Sequence, residues 1–114
     1  MKNARIKITP KSIAYADNKI NRLILEFNIP GAPSDTIDMN ILKDSIWLKA
    51  PAGDIEYVFI LVLRRPVKPD IAKATYENGL LRIEVPFKDP MEDAVKVAIK
   101  TGKAETKTRK IAAR

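Results

Sequence analysis

The chain has 114 residues, 46% of them apolar, which is enough for one domain with its own hydrophobic core. It contains no cysteine and no histidine, which excludes disulfides, thiol nucleophiles, the usual zinc sites and histidine acid-base catalysis. No run approaches the roughly 20 apolar residues that a membrane-spanning helix needs. The composition therefore predicts a soluble, cytoplasmic protein that does not engage a membrane.

The net charge of +7 is concentrated near the C-terminus. Residues 100–114 contain six basic side chains and one acidic side chain, whereas residues 1–99 contain 15 basic and 13 acidic ones. A short basic tail beside a nearly neutral body is typical of a solvated extension. We therefore do not expect nucleic acid as a partner.

Apolar residues recur at every second position through the first half of the chain, which is the period of a half-buried β-strand. The strands predicted there are residues 5–9, 12–16, 23–29, 36–41 and 45–49. The sequence Pro51-Ala52-Gly53-Asp54 then supplies turn residues and indicates a hairpin into the next strand.

The strand predicted at residues 55–63 is apolar on both faces. One face holds Tyr57, Phe59, Leu61 and Leu63, and the other holds Val58, Ile60 and Val62. A strand of this kind requires cover on both sides. We expect the second face either to form a dimer interface with a second copy or to be covered by residues 5–16 of the same chain.

A last hairpin is predicted from residues 72–76 and 80–85, because Asn78-Gly79 between them supplies the positive φ of a tight turn. Many short strands separated by proline and turn residues predict an all-β fold, an immunoglobulin-like antiparallel two-sheet sandwich. Residues 91–100 fit helical spacing and strand alternation equally, so their periodicity does not decide between the two.

The segment Ala74-Thr75-Tyr76-Glu77-Asn78-Gly79-Leu80-Leu81-Arg82-Ile83-Glu84-Val85-Pro86 resembles the signature of the α-crystallin domain. The strand before Pro30-Gly31 and the hairpin of residues 35–48 are also similar, in the same order. Over about residues 12–99 the chain thus resembles the small heat-shock proteins. The resemblance implies an ATP-independent holdase that keeps unfolding client proteins from aggregating, and we expect a homo-oligomer that is either a dimer or built from dimers.

Two features depart from that family. Only residues 51–54 stand where many members carry a long loop that exchanges with a partner subunit, and Tyr57-Val58 stands where an aromatic-Arg pair is expected. Both departures favour an alternative function, a CS-domain-like co-chaperone or adaptor module that binds one particular protein.

We predict three parts: an N-terminal segment of residues 1–11, an α-crystallin-type domain of residues 12–88, and a C-terminal extension of residues 89–114. The family often places an Ile/Val-x-Ile/Val docking motif in this extension, and Val95, Val97 and Ile99 have that pattern. Such a motif binds by strand addition, with its branched side chains entering apolar pockets. The alternative is that these residues form a terminal strand or helix of their own domain.

The pockets are predicted in a groove between two sets of residues. One wall consists of Ile37, Met39 and Ile41, and the other consists of Ala72, Ala74 and Leu80. The alternative interpretation is that these residues are ordinary core.

The sequence offers little for catalysis. The serines Ser12, Ser34 and Ser45 have no histidine to activate them, and Glu92-Asp93 lies in a proline-flanked loop typical of a solvated surface. There is no glycine-rich phosphate loop among the four glycines. We therefore expect no enzyme activity, no catalytic residue, no cofactor and no metal site.

Overall fold

The structure, a computed structural model, describes residues 4–102. The strands in this range are β1 (Ile6–Ile8), β2 (Lys11–Asp17), β3 (Arg22–Asn28), β4 (Asp38–Leu42), β5 (Ser45–Ala52), β6 (Ile55–Val62), β7 (Lys73–Glu77) and β8 (Leu80–Pro86). Two short 3-10 helices, Ser34–Thr36 and Pro69–Ile71, precede β4 and β7. The predicted all-β fold is confirmed.

The strands form two four-stranded sheets. Sheet A has the order β1-β6-β5-β4, and sheet B has the order β2-β3-β8-β7. Neighbouring strands are antiparallel, except that β1 pairs with β6 in parallel. Thr9-Pro10 leads directly from β1 in sheet A to β2 in sheet B, so the N-terminal segment contributes a strand to the sandwich.

The core lies between the sheets, where alternate residues of the central strands point inward. It is built mainly from Leu23, Leu25 and Phe27 of β3, Ile46, Leu48 and Ala50 of β5, and Leu81, Ile83 and Val85 of β8. The ring of Phe27 meets that of Phe59 edge-on, with centroids 5.0 Å apart. Each large apolar side chain buried in this way contributes about 1.5–3 kcal/mol to folding.

The β7–β8 hairpin turns at Asn78 and Gly79, which have φ angles of 51° and 80°. This confirms the tight turn predicted from Asn-Gly. The glycine is required for a second reason, because a Cβ there would lie 3.1 Å from the Cα of Pro30. The carbonyl of Gly79 also accepts a hydrogen bond from the backbone N–H of Ile29, at 2.8 Å. The signature turn thus packs against the chain that leaves β3.

The β5–β6 hairpin is as short as predicted. Ala52 pairs with Ile55, so only Gly53 and Asp54 connect the two strands, and Gly53 takes the positive φ of 63° that this turn requires. A loop long enough to exchange with another subunit is therefore absent between β5 and β6.

The alternative that residues 5–16 cover the outer face of β6 is wrong, and the dimer interface on that face stays a prediction. Tyr57 is buried on the inner face, but Ile60 and Val62 on the outer face are 58% and 76% exposed. Strand β1 does not lie over this face; it pairs with the edge of β6 at Ile55–Tyr57. Within the described part of the chain, the β6 edge from Val58 to Val62 has no backbone partner.

The C-terminal extension has neither of the two regular structures that fit its periodicity. After Phe87, which bridges to Val67, the chain makes a turn and continues without helix or strand to residue 102. Two ion pairs hold the turn to the sandwich: Lys68 with Glu92, at 2.8 Å, and Lys88 with Asp93. Most of the predicted basic tail, residues 103–114, lies outside the described residues.

Candidate protein-binding surfaces

Strand β4 forms one edge of sheet A, and its inner face supplies the first wall of the predicted groove. Met39 pairs with Leu48 and Ile41 pairs with Ile46, so both point toward the core side of the sheet. Together with Ile37 they are half-buried and pack against the core cluster. They are therefore partly core and partly accessible from the edge.

Strand β7 forms the corresponding edge of sheet B. Ala74 pairs with Ile83 and Tyr76 pairs with Leu81, so both face inward. Ala72 is half-buried against the core cluster, and Ala74 is exposed. The second predicted wall thus includes Ala72 and Ala74 and continues to Tyr76.

Leu80 does not belong to this wall. Its neighbour Leu81 is buried in the core, and successive strand residues point to opposite faces, so Leu80 lies on the outer face of sheet B. The residue that occupies the wall instead is Tyr76, two positions after Ala74. Side chains alternate between the two faces of a strand, so the sequence position of Tyr76 already predicts that it lies on the same face as Ala74.

Tyrosine hydroxyls hold the two edges on the same side of the sandwich. The Tyr76 hydroxyl lies 3.1 Å from the carbonyl oxygen of Ile29 and 2.8 Å from that of Ala32, and the Tyr57 hydroxyl donates to the Pro30 carbonyl at 2.8 Å. These bonds fix the connection from β3 to β4 against β7. The groove between β4 and β7 stays a prediction that these bonds support.

The borders of this groove are mainly acidic. Asp35 lies in the 3-10 helix before β4 and Asp38 begins β4. Asp70 lies in the 3-10 helix before β7, which begins with the basic residue Lys73 and ends with Glu77. Around the predicted docking residues the C-terminal extension is basic, because Lys96 and Lys100 alternate with its apolar residues. These two charges are opposite in sign to most of those predicted at the groove.

The predicted docking residues are among the most accessible apolar side chains of the described chain. Val95, Val97 and Ile99 are 82%, 76% and 90% exposed. The alternative that they form a terminal strand or helix of their own domain is wrong, since the segment has no regular structure. The extension therefore presents three branched side chains at i, i+2 and i+4 without burying them in its own domain.

A second apolar surface lies on the outer face of sheet A, and we call it the outer patch. It consists of Leu42, Trp47, Val58, Ile60 and Val62. The sequence predicted Val58, Ile60 and Val62 as a dimer interface but missed Leu42 and Trp47. Only the register reveals them, because it places Trp47 opposite Ile60 on the neighbouring strand.

The residues considered for chemistry are not assembled into a site. Ser45 accepts a hydrogen bond from the indole nitrogen of Trp47 at 3.0 Å, and Glu92 and Asp93 are held in the ion pairs with Lys68 and Lys88. Among residues 4–102, no cluster of three or more acidic side chains has a geometry that would hold a metal ion. None of the helices in that range has the length and apolar character to cross a bilayer.

Comparisons with solved structures identify the fold. The chain is similar to heat shock protein 16.0 from Schizosaccharomyces pombe, with a TM-score of 0.67, 12% identity, and coverage of 82% of this chain and 77% of the other. A small heat-shock protein from Xylella fastidiosa gives a TM-score of 0.64 at 14% identity, covering 82% and 98%. A mutant of hsp14.1 from Sulfolobus solfataricus gives 0.61 at 20% identity, covering 82% and 80%.

No protein-family model matches the sequence, and no curated protein matches it. The similarity to the solved structures therefore lies in the arrangement of the strands, since the sequence identity is low. The chain has the α-crystallin domain fold of the small heat-shock proteins, as the Asn-Gly signature predicted.

Proposed function

We propose that this protein is an ATP-independent chaperone, a holdase that binds unfolding client proteins and keeps them from aggregating. One observation supports the proposal above the others. The same chain carries half-buried apolar residues on the inner faces of its edge strands β4 and β7, where we place the groove, and an exposed extension with Val97 and Ile99 at the spacing that fits such a groove. The proteins with the same fold are heat-shock proteins by name.

The extension of one subunit would dock in the groove of another. Burial of two branched side chains contributes roughly 3–6 kcal/mol before the ordering of the extension is subtracted. Such a contact is reversible, and Lys96 and Lys100 would face the acidic borders of the groove. A groove that releases an extension becomes available to an extended apolar segment of a client, which binds by the same strand addition.

The subunits would meet along β6. Its edge from Val58 to Val62 is open, and an open apolar edge favours pairing with another strand. An antiparallel β6–β6 pair is self-complementary, as a two-fold dimer requires. If the pair forms, the melting temperature of the wild-type protein falls on dilution; a melting temperature independent of concentration contradicts it.

The test of the holdase function is thermal aggregation of a model client in the absence of nucleotide. An excess of this protein should suppress the light scattering of the heated client in proportion to its concentration. Unchanged scattering would contradict the proposal and favour the alternative, a CS-domain-like adaptor, which the short β5–β6 hairpin supports.

A further inference from the structure

The outer patch on sheet A has no role in the docking of the extension or in the pairing of β6 edges. Edge pairing uses the backbone of β6, whereas the side chains of Trp47 and Ile60 point away from the sheet, perpendicular to that edge. Two subunits joined along β6 would therefore still expose both outer patches, and would place them side by side on one continuous sheet.

The exposed ring of Trp47 is available for contact with an apolar side chain. Its indole N–H is already bonded to the Ser45 hydroxyl at 3.0 Å, so the exposed ring has no unsatisfied donor to present. A depression of about 220 Å³ lies beside the ring, and it is lined by Asp38, Asn40, Leu48, Lys49, Val58 and Ile60. Tryptophan beside a pocket is the combination that most often dominates the energy of a protein interface.

The two outer faces of the sandwich differ. On sheet B, Arg82 lies 3.5 Å from Glu26 on the neighbouring strand and 3.5 Å from Glu84 on its own strand, so charged side chains cross the centre of that face. On sheet A the charges lie at one end of the patch, where Asp38 and Lys49 line the depression beside Trp47 and Lys49 and Lys7 lie at 3.8 Å and 3.4 Å from the buried Glu56. Because these charged side chains are of both signs and the rest of the outer patch is apolar, the patch favours no particular charge in its partner.

We propose that the outer patch of sheet A binds the apolar side chains of an unfolding polypeptide, so that it is a client-binding surface separate from the groove; this inference rests on the proposed holdase function. The size of the patch favours an unfolding polypeptide as its partner. Its exposed apolar surface is on the order of 400 Å², the size at which surface patches mark interaction sites. A stable protein interface buries about 800 Å² on each partner, so the patch suits a transient contact with a flexible chain better than a face-to-face dimer.

The experiment uses reduced insulin as the client, because insulin contains no tryptophan and its B chain aggregates on reduction. The reductant leaves this protein unchanged, since it has no cysteine, and Trp47 is its only tryptophan. Binding at the patch should shift the Trp47 emission to shorter wavelength and protect it from acrylamide quenching as scattering is suppressed.

Three outcomes have different meanings. Suppressed scattering without any change in Trp47 emission overturns the proposal that the outer patch binds clients, but it leaves the holdase function intact. Scattering that the wild-type protein does not suppress overturns the holdase function itself. A shift of Trp47 emission with protein concentration, in the absence of insulin, shows that a second copy covers the patch and overturns the proposal.

A pair of variants supplies the matched comparison. Trp47→Thr removes the aromatic ring from the patch, and Tyr15→Thr removes a ring of similar exposure, 45% against 47%, from the outer face of sheet B. Both changes keep a strand-favouring residue on an exposed face. We expect Trp47→Thr to require about tenfold more protein for the same suppression and Tyr15→Thr to behave as wild type, with unchanged melting temperatures for both. Equal loss in the two variants, or none in either, contradicts the proposal.

Discussion

Replacing Val97 and Ile99 with alanine should separate assembly from folding. The two side chains are 76% and 90% exposed within the chain, so their removal should change the free energy of unfolding of the domain by less than about 0.5 kcal/mol. The substitutions remove five side-chain carbons, whose burial contributes about 0.8 kcal/mol each, or about 4 kcal/mol per docked extension. Because 1.4 kcal/mol is a factor of ten, docking should weaken by up to about 1000-fold.

The assay combines size-exclusion chromatography with light scattering for the assembly and thermal denaturation for the fold. The double variant should form smaller assemblies, as should a chain truncated after Lys88, while unfolding remains cooperative. Ile20→Ala is the control, since Ile20 is also exposed but lies in the turn between β2 and β3. Loss of cooperative unfolding in the double variant would place Val97 and Ile99 in the core and refute the docking interpretation, and an unchanged assembly would refute it as well.

Three further predictions concern the sandwich and the base of the extension. Gly79→Ala should lower the free energy of unfolding by at least about 1–2 kcal/mol, because an L side chain at φ 80° is strained and its Cβ would crowd Pro30. Urea denaturation measures this loss of stability, and an unchanged denaturation midpoint would contradict the prediction. Tyr76→Phe should lower the free energy of unfolding by about 1–3 kcal/mol in the same assay, since the single hydroxyl proton shared by the carbonyls of Ile29 and Ala32 is lost. An unchanged free energy of unfolding would contradict this. The hydrogen bond that Lys68 donates to the Glu92 carboxylate raises the pKa of Lys68 above its ordinary 10.5, so the contact is complete below that pH and is lost as the pH rises through the raised pKa. A dye at a cysteine introduced in place of the exposed Met91, beside Glu92 in the turn, should then gain rotational freedom only above 10.5, and release of the dye in the neutral range would contradict the ion pair.

Local patterns were sufficient to predict most of the fold. Apolar alternation located the strands, because each strand has one face on the core, and Asn78-Gly79 located the last hairpin through its backbone requirement. The parallel pairing of β1 with β6 was not predictable in this way. It joins residues 49 positions apart, Ile6 with Ile55, and nothing in either segment specifies the partner.

The binding surfaces were predictable only in part, for a similar reason. Alternation placed Ile60 and Val62 on one face, but whether that face is covered depends on where the rest of the chain goes. Trp47 joins the outer patch through the register of β5 with β6, and Tyr76 joins the groove through hydroxyl contacts with Ile29 and Ala32. Register and long-range side-chain bonds are properties of the assembled sandwich.

We propose that the sandwich holds unfolding proteins without nucleotide, and the scattering of reduced insulin at constant temperature measures this activity. With no ATP present, increasing amounts of the wild-type protein should delay and then abolish the scattering. The complex of the two proteins should elute together on size exclusion. Scattering that follows the same time course with and without the protein, at a several-fold excess of subunits over insulin, would contradict the claim.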